Sequence, residues 1–282
     1  FVNNGDLTFT ESAKEFGLDE DGYSTQAVFF DYDKDDDLDV LVARDPYDVF
    51  HNDIGYVRTK KKGSNLPGSD KLYRNDGDNK FKDVSQEAGI LDEGYSLGVA
   101  VSDINKDGWP DIYISNDFQT DDILYINNKD GSFDNETSKY LKHTEFAGMG
   151  VSIADINNDS NVDIFVADMM PEDNERLKMI IPSTSYDKFN LTLKKGYLPQ
   201  YSRNVLQLTN GNNTFSEIGQ LLGVHNTDWS WAPLVADFDN DGDRDFFVTN
   251  GLLKDIGNLD FIHYQPLRSV FGTKKSNDSL RV

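Results

Sequence analysis

Four nine-residue segments of this chain carry side-chain oxygens at alternate positions. They are Asp31-Tyr-Asp-Lys-Asp-Asp-Asp-Leu-Asp39, Asp103-Ile-Asn-Lys-Asp-Gly-Trp-Pro-Asp111, Asp155-Ile-Asn-Asn-Asp-Ser-Asn-Val-Asp163 and Asp237-Phe-Asp-Asn-Asp-Gly-Asp-Arg-Asp245. All follow D-x-[DN]-x-D-x-x-x-D. Hard oxygen ligands at this spacing suit Ca²⁺: in a tight loop positions 1, 3 and 5 converge, the carbonyl of position 7 adds a ligand, and the carboxylate of position 9 closes the site. The expected ligand sets are Asp31, Asp33, Asp35, Asp37 and Asp39; Asp103, Asn105, Asp107, Trp109 through its carbonyl, and Asp111; Asp155, Asn157, Asp159, Asn161 and Asp163; and Asp237, Asp239, Asp241, Asp243 and Asp245. About four Ca²⁺ are therefore expected. Without a cation, several carboxylates crowded within a few ångströms repel by several kcal/mol at low effective dielectric, which makes the metal a folding ligand.

Other metals fit less well. An EF-hand needs Glu at position 12 and a helix on each side, but position 12 is Val42, Ile114, Val166 and Val248. Magnesium demands stricter octahedral geometry. No His or Cys lies in any loop, which disfavours zinc and copper. Position 6, where Gly relieves a left-handed turn, is Gly108 and Gly242 in two loops but Asp36 and Ser160 in the others. The loop from Asp155, with three Asp and two Asn, is expected to bind most weakly.

The elements that must position these loops are strands. Each loop follows an apolar stretch (Ala27 to Phe30, Val99 to Val101, Val151 to Ala154, Leu234 to Ala236) and precedes another (Val40 to Val42, Ile112 to Ile114, Ile164 to Val166, Phe246 to Val248). These are the β-branched and aromatic residues that strands prefer. Upstream of each loop, an Asn/Gly turn leads to a phenylalanine, Phe9, Phe81, Phe133 or Phe215, which precedes the first Asp by 22 residues in all four copies (9 to 31, 81 to 103, 133 to 155, 215 to 237). The shortest spacing between copies is 52 residues (81 to 133).

That period, with about four short strands, is the arithmetic of a propeller blade, and blades must stack to bury both faces. A β-solenoid has a shorter period. The expected fold is all-β, a β-propeller with a small helical insertion. Its repeat body spans 1–255, in units of about 1–45, 71–118, 123–168 and 204–250. A loop insertion occupies 46–70, where Lys60-Lys-Lys62 reads as a solvated tip. A helical insertion occupies 170–203, beginning near Pro171 and closing at Lys194-Lys-Gly196. Residues 256–282 read as an extension or the start of a next segment. The phenylalanines, Trp229 and Trp231 are expected in the inter-blade core, with Trp109 more exposed.

The signature, D-x-[DN]-x-D-G-x-x-D before an apolar strand, resembles the FG-GAP/VCBS repeat family, the integrin-α-like propeller repeats. Leu97-Gly98, Met149-Gly150 and Trp231-Ala-Pro233 are the nearest counterparts of its Phe-Gly and Gly-Ala-Pro elements. Asn226 to Trp231, Phe247 to Gly251 and Tyr186 to Asn190 are similar to bacterial surface members of ASPIC/UnbV type. The resemblance implies a ring of about seven blades, of which this chain supplies part, and an exported protein that works by binding.

Composition is consistent with this. A charge of -23, from 27 basic and 50 acidic residues, repels nucleic acid and anionic membranes; four Ca²⁺ at +8 would bring it to -15. There is no cysteine, which excludes disulfides and thiolate sites. No apolar run approaches a membrane span. The chain opens at Phe1 without a signal peptide, so the expectation is a mature product or fragment whose export signal or lipoprotein anchor lies elsewhere. No nucleophile, metalloprotease or phosphate-loop motif occurs, and the four histidines (51, 143, 225, 263) lack ligand spacing.

The leading reading is a non-catalytic calcium-binding module at the bacterial outer surface. It would bind a protein or polysaccharide, in adhesion or as part of a larger assembly. The alternative is a calcium-dependent polysaccharide lyase using Arg203, Lys194, Lys195 and Tyr201.

Overall fold

The computed structural model describes residues 1–46, 57, 59–77, 80–180, 185–251 and 257–264. Parts of both expected insertions (47–56, 58 and 181–184) and most of the C-terminal stretch (252–256 and 265–282) lie outside the described residues.

The protein is mostly β with few helices. After a hairpin of Val2–Asn3 with Phe9–Thr10, three antiparallel four-stranded meanders follow one another. The first sheet comprises Ser24–Phe30, Asp39–Arg44, Lys71–Asn75 and Phe81–Asp83. The second comprises Ser96–Ser102, Asp111–Asn116, Ile123–Asn127 and Phe133–Asn135. The third comprises Gly150–Ala154, Asp163–Ala167, Val205–Thr209 and Phe215–Glu217. A fourth sheet holds Met169–Met170, Asp228–Ala236 and Asp245–Asn250. The first two long strands of every sheet are joined by an Asp loop, and the last residue of the earlier strand always faces position 9: Phe30 with Asp39, Ser102 with Asp111, Ala154 with Asp163, Ala236 with Asp245.

The sheets stack face on face. Ile112, Tyr113 and Ile114 are all fully buried; Ile112 and Ile114 pack with Leu41 and Leu72 of the first sheet, and Tyr113 packs with Ile164 and Val205 of the third. Burial on both faces explains why these strands read as unbroken apolar runs. Phe165, Leu206 and Val235 form a third core, between the third and fourth sheets. Burying each such side chain contributes roughly 1.5–3 kcal/mol. Phe133 and Phe215 lie in these cores, whereas Phe81 packs edge-on to Phe29 at 6.4 Å and Phe9 is exposed.

Pairing divides the chain differently from the sequence units. The strand bearing Phe81 pairs with Lys71–Asn75 in the sheet of the preceding loop, Asn75 facing Phe81, and Phe133 and Phe215 behave likewise. Each unit counted along the sequence therefore straddles two sheets. Two side-chain expectations also change. Trp231 is exposed, with its indole N–H donating to the Gly251 carbonyl at 3.0 Å, because no described sheet covers that side. The lysine run is no free tip: Lys60 pairs with Asp121 at 2.7 Å and lies over the Tyr197 ring, and Lys62 pairs with Asp92 at 3.3 Å.

In an antiparallel meander the connection between strands two and three lies at the end opposite the connection between strands one and two. Both insertions are connections of the former kind, so they project from the end opposite the Asp loops. There they meet, with Lys195 Nζ donating to Thr59 Oγ1 at 3.0 Å. The helical insertion holds Asn174–Met179, capped by Asp173, and Tyr186–Lys194, capped by Ser185.

Among the described residues the stack is open. Phe29 on the leading face is 55% exposed, and Leu234 and Phe247 on the trailing face are 52% and 57% exposed.

Candidate metal centres

All four Asp loops share one backbone path. Positions 4 and 6 are left-handed throughout: Lys34 and Asp36, Lys106 and Gly108, Asn158 and Ser160, Asn240 and Gly242, with φ between 59° and 97°. The turn is held by the position-1 carboxylate, which accepts the N–H groups of positions 5 and 6. Asp103 accepts from Asp107 and Gly108 at 2.9 and 2.8 Å, and Asp155 from Asp159 and Ser160 at 3.0 and 2.8 Å. Asp31 and Asp237 do the same.

A side chain in this left-handed region costs about 1 kcal/mol that Gly avoids, partly offset by the entropy Gly loses on folding. Ser160→Gly, at an exposed site with φ 68°, is expected to raise the melting temperature by roughly 1–3 °C. A fall in a thermal melt would contradict the shared path.

Position 9 has a second duty. Its carboxylate accepts the position-2 N–H with one oxygen and an N–H of the third strand with the other. Asp39 takes Tyr32 and Asn75 at 3.1 and 2.9 Å, Asp111 takes Ile104 and Asn127 at 2.9 Å each, and Asp163 takes Ile156 and Thr209 at 3.0 and 2.9 Å. These three are fully buried. Burial pushes Asp39 and Asp111 up to about 6, against the lowering effect of the amides, and pushes Asp163 up too. Asp245 keeps only the Phe238 N–H, at 3.1 Å among the described bonds, and is exposed.

The loops differ in what faces their centres. In the first, oxygens of Asp31, Asp33 and Asp39 lie within 4.8 Å of one another, and in the fourth those of Asp237, Asp239 and Asp241 do. Asp33 Oδ1 and Asp37 Oδ1 are buried without any hydrogen-bond donor. Burial first, and then the charges of Asp35 and Asp31, push both carboxyls up. Crowded, desolvated, donor-free oxygens with no nitrogen or sulfur among them fit a hard divalent cation. In the second loop the Asn105 amide donates to Asp107 at 2.9 Å, and Lys129 Nζ stands 3.3 Å from the same carboxylate. In the third loop Asn157 donates to Asp159 at 3.1 Å. Amide and ammonium groups there already answer part of the negative charge.

Neighbouring loops also touch. Lys34 lies over Trp109, which is half-buried, at 4.8 Å. Asn158 donates to the Gly242 carbonyl at 3.0 Å, and Arg244 to the Asp155 carbonyl at 3.4 Å.

Sequence reasoning missed a second strut at the opposite end. Asp70, Asp122 and Asn204, each just before a third strand, accept the N–H groups of Arg44, Asn116 and Asp168 at 2.8, 3.0 and 2.8 Å. The signal was present as [DN]-x-Leu in Asp70-Lys-Leu72, Asp122-Ile-Leu124 and Asn204-Val-Leu206. Lys129 was also missed, since it comes from a turn 22 residues beyond Asp107.

The residues nominated for lyase chemistry separate. Arg203 and Tyr201 sit together, guanidinium over ring at 4.9 Å, but Arg203 is paired with Glu217 at 3.0 Å. Lys195 is held by Thr59, and neither Lys194 nor Lys195 lines the adjoining cleft.

Stacked sheets, each turning through an all-oxygen acidic loop, define a class of β-repeat protein with strand-to-strand carboxylate sites. The model of the FG-GAP-like repeat matches residues 52–114, 103–166 and 197–248, more than half of the chain, and the chain belongs to that family. The loop from Asp31 lies outside the matched spans yet has the same left-handed positions and the same buried ninth Asp. No curated protein matches the chain.

Proposed function

We propose that this chain is part of a calcium-loaded β-propeller that acts by binding rather than by chemistry, outside the cell. The observation that carries the calcium reading is the pair of buried, donor-free oxygens on Asp33 and Asp37; a divalent ion supplies what no protein group does. The two exposed apolar faces, at Phe29 and at Leu234 with Phe247, support a ring continued by further sheets, about seven in all. An exterior location is part of this reading: calcium sites of extracellular modules bind at about 10⁻⁴–10⁻³ M, and sites of that strength would fill where calcium is millimolar. Partners are a protein or polysaccharide of the cell surface. They meet the end that carries both insertions, since the opposite end is occupied by the metal loops.

Terbium luminescence and calorimetric calcium titration test the reading directly. Sites that stay empty at millimolar calcium would end it. Within the set, the first and fourth loops should bind more tightly than the third. Asp155→Ala is therefore expected to lower the melting temperature in calcium by less than Asp237→Ala does, and the reverse order would refute the ranking.

A further inference from the structure

The insertion-bearing end holds a cleft of about 390 Å³ between the helix Tyr186–Lys194 and the segment Gln200–Arg203, with Met170 and Gln220 on its other side. That volume lies in the range of small-molecule sites. We propose that this cleft is a binding site for a neutral saccharide. The proposal rests on reading the protein as a binding module and names the ligand class of that module.

Three observations converge on this ligand. The first is aromatic surface. Tyr186, in the first turn of its helix, is 81% exposed, and Tyr201 is 39% exposed. Phe189 stands 5.9 Å from Tyr201 at 34°. An exposed tyrosine at a cleft rim contributes nothing to a core. Its flat face and hydroxyl suit a ligand with one apolar C–H face and a hydroxylated edge. Tyr201 is also held rigid, with His143 edge-on at 5.2 Å and the Arg203 guanidinium over its ring, so little order remains to be imposed on binding.

The second is the polar lining. Ser185, Gln200, Ser202 and Gln220 make the lining neutral. The Gln200 amide N–H is held by the Thr120 carbonyl at 2.7 Å and Ser185 Oγ by the Lys188 N–H, while Gln220 brings an exposed amide able to donate to and accept from sugar hydroxyls. The third is charge. Arg203 is the one cation of the lining, and Glu217 neutralises it at 3.0 Å while being held down to about 2: burial opposes this, but hydrogen bonds from His143, Arg203 and the Gly219 N–H overcome it. A uronate or other anion entering the cleft would find the charge of its guanidinium already balanced, whereas an uncharged ring needs no counter-charge. The other large cleft, about 580 Å³, is lined by Asp33, Asp35, Arg74, Glu87 and Lys129 and belongs with the first metal loop.

The test is calorimetric titration of the calcium-loaded protein with neutral oligosaccharides (cello-, malto-, xylo- and chito-series) and, separately, with oligogalacturonate. Saturable binding of a neutral series is expected. Tyr186→Ala should weaken it at least tenfold with an unchanged melting temperature, because this ring packs on nothing that folding needs, and Tyr186→Phe should retain most of it. The proposal is overturned if no neutral series binds, if Tyr186→Ala binds as well as the parent, or if oligogalacturonate binds more tightly and loses that binding in Arg203→Gln. Absent sugar binding with calcium stabilisation intact would sink this site alone; absent calcium stabilisation would sink the calcium-loaded reading beneath it.

Discussion

Chelating calcium is expected to lower the melting temperature by roughly 10–15 °C. At free calcium twentyfold above the dissociation constant, each site that binds only the folded state adds about 1.8 kcal/mol, so four add about 7 kcal/mol. A protein of this size gains roughly 2 °C per kcal/mol. The effect has a structural origin. The first loop holds Asp31, Asp33 and Asp39 within 4.8 Å of one another, with two buried oxygens on Asp33 and Asp37 unpartnered, a repulsion that an ion would offset and that chelation would leave to be relieved by unfolding. The loops are joined through Asn158, Gly242, Arg244 and Asp155, so loss of one ion should loosen its neighbour. Differential scanning calorimetry in millimolar calcium and in excess EDTA reads the shift. Equal melting temperatures in the two buffers would remove calcium as a folding ligand.

The second large effect concerns two acids outside the Asp loops. Asp122 and Glu145 are both about 1% exposed. Asp122 accepts the Tyr113 hydroxyl at 2.5 Å and the Asn116 N–H at 3.0 Å, while both Glu145 oxygens have no donor. Burial, followed by the charge of Asp122, pushes Glu145 well up. Burial pushes Asp122 up to about 6, against hydrogen bonds from Glu145, Tyr113 and the Asn116 N–H. Two carboxylates in one dry site cannot both ionise cheaply, so the folded state retains a proton there.

The sign follows from linkage. Folded-state values above the unfolded ones mean a contribution fully present below about pH 4 and lost as pH rises through 6 and beyond. Asp70 and Asp117, both pushed up to about 7 chiefly by burial, act in the same direction. Glu145→Gln keeps the shape and supplies a permanent donor to Asp122. At pH 8 it is expected to raise the melting temperature by several degrees, with little change at pH 4. Melts across that range in saturating calcium would show the gap opening with pH. A variant destabilised equally at both ends would mean that the pair is bonded in some other way.

Much of the site was legible in the chain because ligand loops are local. Nine residues with oxygens at odd positions determine their own turn: position 1 caps the N–H groups of positions 5 and 6, and glycine at 108 and 242 marks a left-handed residue. The strands on either side were legible from unbroken β-branched runs. The fixed offset from phenylalanine to Asp reported a repeat that the sheets bear out, although the chain alone could not say to which sheet Phe81, Phe133 and Phe215 belonged. Hairpin partners are chosen by register, and the neighbour in space was the preceding loop's sheet.

What the sequence alone determined, then, is the loop chemistry and the strand–loop–strand unit, because both depend on interactions within about ten residues. Only the tertiary structure decided that the ninth carboxylate also braces a neighbouring strand, since Asp39, Asp111 and Asp163 owe their second amide to a strand 16 to 46 residues away. It decided that Lys129 reaches Asp107, that the lysine run at 60–62 is tethered, and that Asp122 and Glu145 share one dry space. It also set the fates of like motifs apart. Ile112-Tyr113-Ile114 is buried on both faces while Phe246-Phe247-Val248 is open on one, because burial depends on whether another sheet lies alongside, which no run of residues can encode about itself.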